Sequence, residues 1–225
     1  MMLSSVSSAL AEAWETGTPV APLTGEYALG SLEAAEDVAG EVLEKLGLVP
    51  CGIRVTETGL VGVMLPGRIV TGAALPLAAL PHARVAPAIL AVLAEPITPD
   101  GTGLPALARL HPAIDVASSR WREGPADLFE AAADLAGLGH VVMGRGRAVP
   151  LPSQVALALD GAKARPRPAD MAALLARAVQ IAREAGGLPV GAVLVLVAGG
   201  GVAVAGPCEA VVRCTGLGKV TLSLR

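Results

Sequence analysis

From Ala185 to Cys208 the chain carries no charged residue, a run long enough for the roughly 20 apolar residues that a membrane helix needs. Its interior decides against a helix. Pro189, Gly191 and the triplet Gly199-Gly200-Gly201 divide it into two β-branched runs, Val190–Val197 and Val202–Val204. Each glycine inside a helix costs about 1 kcal/mol, whereas Val-rich runs between Gly-rich turns are the pattern of strands. The stretch therefore predicts a buried sheet and no membrane span. The rest of the composition fits a large aliphatic core: 53% of residues are hydrophobic, only 16% charged and 2% aromatic. So much apolar surface excludes a disordered chain, and the 27 glycines and 18 prolines show no repeating period, which excludes a collagen or linker architecture. A net charge of −3 without a basic block argues against nucleic acid as a main partner. Met1 to Trp14 lacks a basic start and a long apolar stretch, so no signal peptide is expected. Cys51, Cys208 and Cys214 form no CxxC pair and are odd in number, which suits reduced thiols in a cytoplasm.

Periodicity lays out the elements. Val6, Leu10 and Trp14 fall at helical spacing within Ser5–Glu15, followed by a turn-rich segment to Gly30. Ser31 caps a second helix with Leu32, Ala35, Val38, Val42 and Leu46 on one face, and Gly47 closes it. From Val49 to Leu93 short apolar runs broken by Gly and Pro read as β. A loop spans 94–105, a helix Leu104–Leu110 leads into a strand Pro112–Ala117, and Pro125–Leu138 reads as helix before a strand His140–Met143. Val155–Leu159 is a strand, and Asp160–Pro168 a polar connector. Asp170–Ala185 is the clearest long helix. Strands follow at Ala192–Val197, Val202–Ala205, Glu209–Arg213 and Lys219–Leu224. This order predicts an α+β protein with a mixed β-sheet or barrel core, 49–225, and a small N-terminal helical cap, 1–48, the two forming one unit.

Generic motifs assign no chemistry. Gly216-Leu-Gly218-Lys219 lacks the hydroxyl after its lysine and the upstream glycine of a phosphate loop, so it reads as a turn between strands. The Gly199–Gly206 stretch opens a strand where a dinucleotide fingerprint would open a helix. His82, His111 and His140 stand alone beside apolar residues, without the spacing of zinc ligands. Cys51 has no basic neighbour to activate it.

Several longer stretches, in chain order, resemble a known family. LAEAWETGTPVAPLT resembles an opening helix ending in a small-residue turn. CGIRVTET resembles a Gly-x-Lys-hydrophobic-Gly-Leu-Thr segment, and RVAPAILAVL a strand reading hydrophobic-Glu-x-Glu-Ile-Ala. LHPAIDVASSR is close to Pro-Ala-hydrophobic-Glu-hydrophobic-x-x-Ser-Arg, and AADLAGLGHVVMG to Ala-Asp-Asn-Ala-x-x-Gly. DMAALLARAVQIAREAGGLPVGAVLVLVAGG and TGLGKVTLSL resemble a late helix with its strand and a closing strand. Together, from about Ala9 to Leu224, they resemble the hydratase/decarboxylase (2-keto-4-pentenoate hydratase-like) branch of the fumarylacetoacetase-like superfamily.

That resemblance implies a lyase fold in which three carboxylates hold magnesium or manganese, the metal chelates a 2-oxo acid, and a lysine supports the developing enolate. This sequence departs from the plan residue by residue. Ala86 and Ala88 stand where two metal-binding glutamates would be, and Asp115 is a shortened form of the third. Arg54 takes the lysine position; it keeps the charge but cannot donate a proton near neutral pH. Thr58, Ser119, Arg120 and Asp134 match, whereas the Asn after Asp134 is Leu135 and a late Thr-Gly is Val197-Ala198. The metal is therefore expected to be lost. Two readings follow: a non-catalytic relative that binds a small 2-oxo acid or serves as a partner subunit or homo-oligomer, or an altered hydro-lyase or decarboxylase. In the second, Arg54 and Arg120 bind a carboxylate and Asp115 moves a proton without metal. A plain Arg54–Asp115 or Arg54–Glu57 ion pair is the structural alternative to both.

Overall fold

The computed structural model describes residues 2–25, 28–72 and 74–225. Met1, Glu26, Tyr27 and Ala73, which fall in the expected N-terminal, turn-rich and β-like segments, lie outside the described residues. The chain folds as α1 (Met2–Thr16), α2 (Leu32–Leu46), β1 (Gly52–Thr56), β2 (Val61–Met64), β3 (Ile69–Val70), β4 (Ala74–Leu75), β5 (Arg84–Leu93), β6 (Leu107–Ala117), α3 (Leu128–Ala133), β7 (Leu138–Met143), β8 (Gln154–Leu159), β9 (Arg167–Pro168), α4 (Met171–Glu184), β10 (Val193–Val197), β11 (Val202–Ala203), β12 (Cys208–Cys214) and β13 (Gly218–Leu224).

Caps and turns sit where local chemistry requires them. The Ser31 hydroxyl accepts from the Ala34 N–H, and Gly47 closes α2 in the left-handed region at φ 60°. Asp127 and Asp170 cap α3 and α4 through N–H groups of Glu130 and Ala173. Two expectations are corrected. Leu104–Leu110 is no helix: β6 already begins at Leu107, because the β5 partner residues Val92 and Ala91 take up Arg109 and Leu110 as cross-strand neighbours. Ladder pairing here overrides the helix preference of Ala and Leu. The helix expected to Leu138 stops at Ala133, since Leu135, Ala136 and Gly137 all turn left-handed (φ 49°, 57° and 63°) and re-aim the chain into β7.

A large sheet of order β2-β1-β10-β5-β6-β7-β3, with β11 on β5, faces a five-stranded sheet of order β4-β13-β12-β8-β9. The uncharged stretch Ala185–Cys208 supplies β10, a fully buried strand between β1 and β5. No helix among the described residues is long and apolar enough to cross a membrane. Alternation along the strands divides the large sheet into two faces. One, with Ile53, Val55, Ile89, Ala91, Ile114, Leu194 and Leu196, packs on the smaller sheet and α4. The other, with Ala86, Ala88, Leu90, Ala113, Val195 and Val197, packs toward α1, α2 and α3. Gly62 of β2 lies so close to Ala136 that a Cβ there would stand 2.6 Å from the Ala136 methyl, which brings the β2 edge against the chain entering β7 and curls the sheet into a half-barrel.

Candidate ligand cleft

The curl brings distant residues together. Arg54 on β1 and Asp115 on β6 are separated by β10 and β5, and in a flat sheet their strands would lie about 14 Å apart. Instead their side chains meet. Arg54 donates from Nε to Asp115 Oδ1 and from Nη2 to Asp115 Oδ2, both at 2.6 Å, and from Nη1 to the Ala136 carbonyl at 2.9 Å. Arg54 is 3% and Asp115 2% exposed. Burial works against the Arg54 charge, but the attraction and hydrogen bonds of Asp115 outweigh it and hold the guanidinium above its usual pKa. The geometry is the side-on fork in which Arg and carboxylate match best.

This pair forms part of the wall of a cleft of about 820 Å³. Thr56, Thr58, Ala86 and Ser119 line it, with Arg84 from the start of β5, His82 and Glu123 from the loops and Gly199–Gly201 from the turn after β10. Thr56 and Thr58 share a hydroxyl–hydroxyl hydrogen bond of 2.9 Å. Arg84 donates to the carbonyls of Gly200 and Gly201. The Gly199 N–H donates to the carboxylate of Glu57, which also pairs with Arg167 at 3.4 Å. Of the residues singled out from sequence, Arg54, Thr58, Asp115 and Ser119 therefore converge on one cleft.

Arg120 and Asp134 do not join that lining. Past the end of β6 the strand alternation lapses, and Arg120 lies over the Trp14 ring of α1, 3.6 Å from its centroid, with Arg68 at 4.6 Å. Arg120 donates to the carbonyls of Ser118 and Leu138, and Asp134 accepts from the Arg120 backbone N–H at 2.8 Å and faces its Nη1 at 3.4 Å. Burial raises Asp134 to about 6, against the attraction of Arg120 and the hydrogen bond from its backbone N–H. Burial lowers Arg120, which Asp134 opposes and Arg68 reinforces. Sequence reasoning missed Thr56, although its spacing of two from Arg54 puts both on one strand face. It also missed Arg84 at the start of β5, and His82 and Glu123, whose loops carry no local signal.

The donor set does not fit a divalent metal. Asp115 is the cleft carboxylate nearest the expected position, and both its oxygens are already held by Arg54. Its direct cross-strand neighbour is Ala86, and Ala88 is the next residue on that face; neither offers an oxygen. Among the described residues no group of three or more His, Cys, Asp or Glu is placed to hold a metal ion. Magnesium asks for near-octahedral oxygen ligation and usually for more than one carboxylate or phosphate.

No family model matches the sequence, and no curated protein matches it. Solved structures do match by shape. 4-Oxalocrotonate decarboxylase from Pseudomonas putida G7, complexed with magnesium and adipate, superposes with a TM-score of 0.82 at 20% identity, covering 99% of this chain and 97% of its own. The same enzyme with calcium and acetate gives 0.80 at 19% identity over the same spans. A 2-hydroxyhepta-2,4-diene-1,7-dioate isomerase from Mycobacterium marinum gives 0.51 at 12% identity, covering 79% of this chain and 76% of that one. Over 99% of its length the chain thus has the fumarylacetoacetase-like α+β fold, in the form seen in 4-oxalocrotonate decarboxylase.

Proposed function

We propose that the chain is a non-catalytic relative of the 2-oxo acid hydratases and decarboxylases, whose cleft binds a small 2-oxo acid without a metal ion. The observation that carries this reading is the state of Arg54. A guanidinium has five N–H donors; three are committed to Asp115 and Ala136, leaving one on each terminal nitrogen. A ligand carboxylate can take those two, with the Thr56 and Thr58 hydroxyls beside it in the same cleft. The solved neighbours with adipate and with acetate lend support, since both hold carboxylates in this fold. The same pairing weighs against the altered-enzyme reading. An Asp115 with both oxygens engaged by a guanidinium is poorly placed to carry a proton, and Arg120, turned onto Trp14, is not available as a second carboxylate clamp.

Isothermal titration with pyruvate and 2-oxopentanoate, in EDTA, tests the proposal. The expected Kd is about 0.1–1 mM, the range that a few heavy atoms and one forked contact support. Arg54→Lys, checked for folding by circular dichroism, should abolish it because an ammonium cannot form two forks. An ultraviolet assay following a 2-hydroxydienoate should stay flat with magnesium or manganese present. Absence of any 2-oxo acid binding, or measurable turnover, refutes the reading.

A further inference from the structure

The mismatch between the cleft and a metal ion has a specific cause in the fold. Ala86 and Asp115 are direct partners across the β5–β6 ladder, and Ala88 follows on the same face. Side chains at such positions stand about 5 Å apart directly and about 7–8 Å diagonally, close enough for three acidic residues there to converge on one cation. Two of the three are methyl groups. Into the space beside them Arg54 reaches from β1 across the line of β10, and its guanidinium grips the remaining carboxylate.

We infer that the Arg54 guanidinium is a built-in cation that occupies the cleft wall at Asp115 and excludes a divalent metal from it. The inference rests on the reading of this cleft as the ligand site, and its test uses the metal alone, so the two can fail separately. A guanidinium is planar and weakly hydrated, and one carboxylate plus one carbonyl satisfies most of its donors. A divalent ion at the same carboxylate would find both oxygens already held in the Arg54 fork and no further anionic ligand beside it. Arginine and metal are therefore mutually exclusive here, and restoring oxygens alone will not restore a metal site while the guanidinium remains: new carboxylates on β5 would pair with Arg54.

Manganese(II) titration followed by electron paramagnetic resonance of the free ion tests this on three proteins: the wild type, A86E/A88E, and R54M/A86E/A88E. The wild type and the double variant should leave manganese free up to millimolar protein. The triple variant should bind at least about a hundredfold more tightly than the double, since affinity at oxygen-ligand sites follows the uncompensated charge count over several decades. Three buried carboxylates without a counter-ion also make folding of the triple variant depend on the metal, so its melting temperature should climb with manganese while that of the double variant stays put. Tight manganese binding by the wild type overturns the inference. So does a double variant that binds as tightly as the triple, or a triple variant that neither binds manganese nor is folded by it.

Discussion

Removing either partner of the Arg54–Asp115 pair should cost far more than removing both. Asp115→Asn leaves the shape nearly unchanged but takes away the charge opposite a guanidinium that is 3% exposed. Arg54→Met does more damage: it strands the Asp115 carboxylate and also leaves the Ala136 carbonyl without its donor. Breaking a buried pair from one side costs about 3–5 kcal/mol in a closed interior. Here the pair borders an open cleft where water can reach an orphaned charge, so about 2–4 kcal/mol is expected, with R54M at the upper end. The double variant R54M/D115N leaves no buried charge and should cost about 1–2 kcal/mol, less than either single change. The resulting coupling, about 3–6 kcal/mol, lies at or above the top of the range for contacting residues, because each single change leaves a buried charge or donor unpaired and the double leaves no charge behind.

Guanidinium chloride unfolding followed by circular dichroism reads these differences as midpoint shifts at constant slope. For a chain of 225 residues, 3 kcal/mol corresponds to a melting shift of about 6–12 °C. Single-variant costs that simply add in the double, within about 0.5 kcal/mol, would refute the reasoning, because they would mean that the two side chains do not sense each other. A D115N cost below about 1 kcal/mol would refute it too, by showing that the guanidinium needs no counter-charge.

Asp134 predicts a pH dependence with a definite sign. Its folded pKa is raised to about 6 against an unfolded value near 3.9, so the folded state binds the proton more tightly. The associated stability is fully present below about pH 4 and is lost as pH rises through about 6, some 3 kcal/mol in all. Asp134→Asn should remove that slope, seen as a gap between wild-type and variant unfolding midpoints that changes between pH 4 and 7; parallel profiles would contradict it. Two glycines predict opposite outcomes for the same substitution. Gly40, exposed within α2 with nothing within 4 Å of an added Cβ, should gain about 0.5–1 kcal/mol as alanine. Gly139→Ala should fail to fold or lose several kcal/mol in denaturant titration, because its Cβ would lie 2.2 Å from the Val116 carbonyl oxygen.

Much of the fold was legible because its signals are local. Ser31, Gly47, Asp170 and the glycine triplet each act within a few residues, and the strands of the last third follow directly from Val-rich alternation. The long β5–β6 hairpin was only half legible. Pro87 and Pro112 would normally argue against central strands, yet Pro87 accepts from Ala198 just beyond the end of β10, and Pro112 accepts from Gly144 just past β7. Both prolines sit where no ladder donor is required, a fact that depends on where other strands end. The cleft is likewise a product of long-range curl. Sixty-one residues separate Arg54 from Asp115, and nothing local in either segment records their pairing, whereas Arg120, one residue from Ser119, turns away because the strand has already ended.

The three departures at the cleft nonetheless form one change when counted as charge. In the plan that the sequence resembles, three carboxylates stand against a divalent cation and a lysine, and the set is neutral. Here Asp115 stands against Arg54, with methyl groups at Ala86 and Ala88, and the set is neutral again. A buried site tolerates little uncompensated charge. Losing the two glutamates while keeping a metal would leave an excess of positive charge, and losing the metal while keeping the glutamates would leave an excess of negative charge. Under the proposed absence of a metal, alanines and a forked arginine together satisfy that constraint, and Arg54 is then the counterpart of Ala86 and Ala88 rather than an isolated difference.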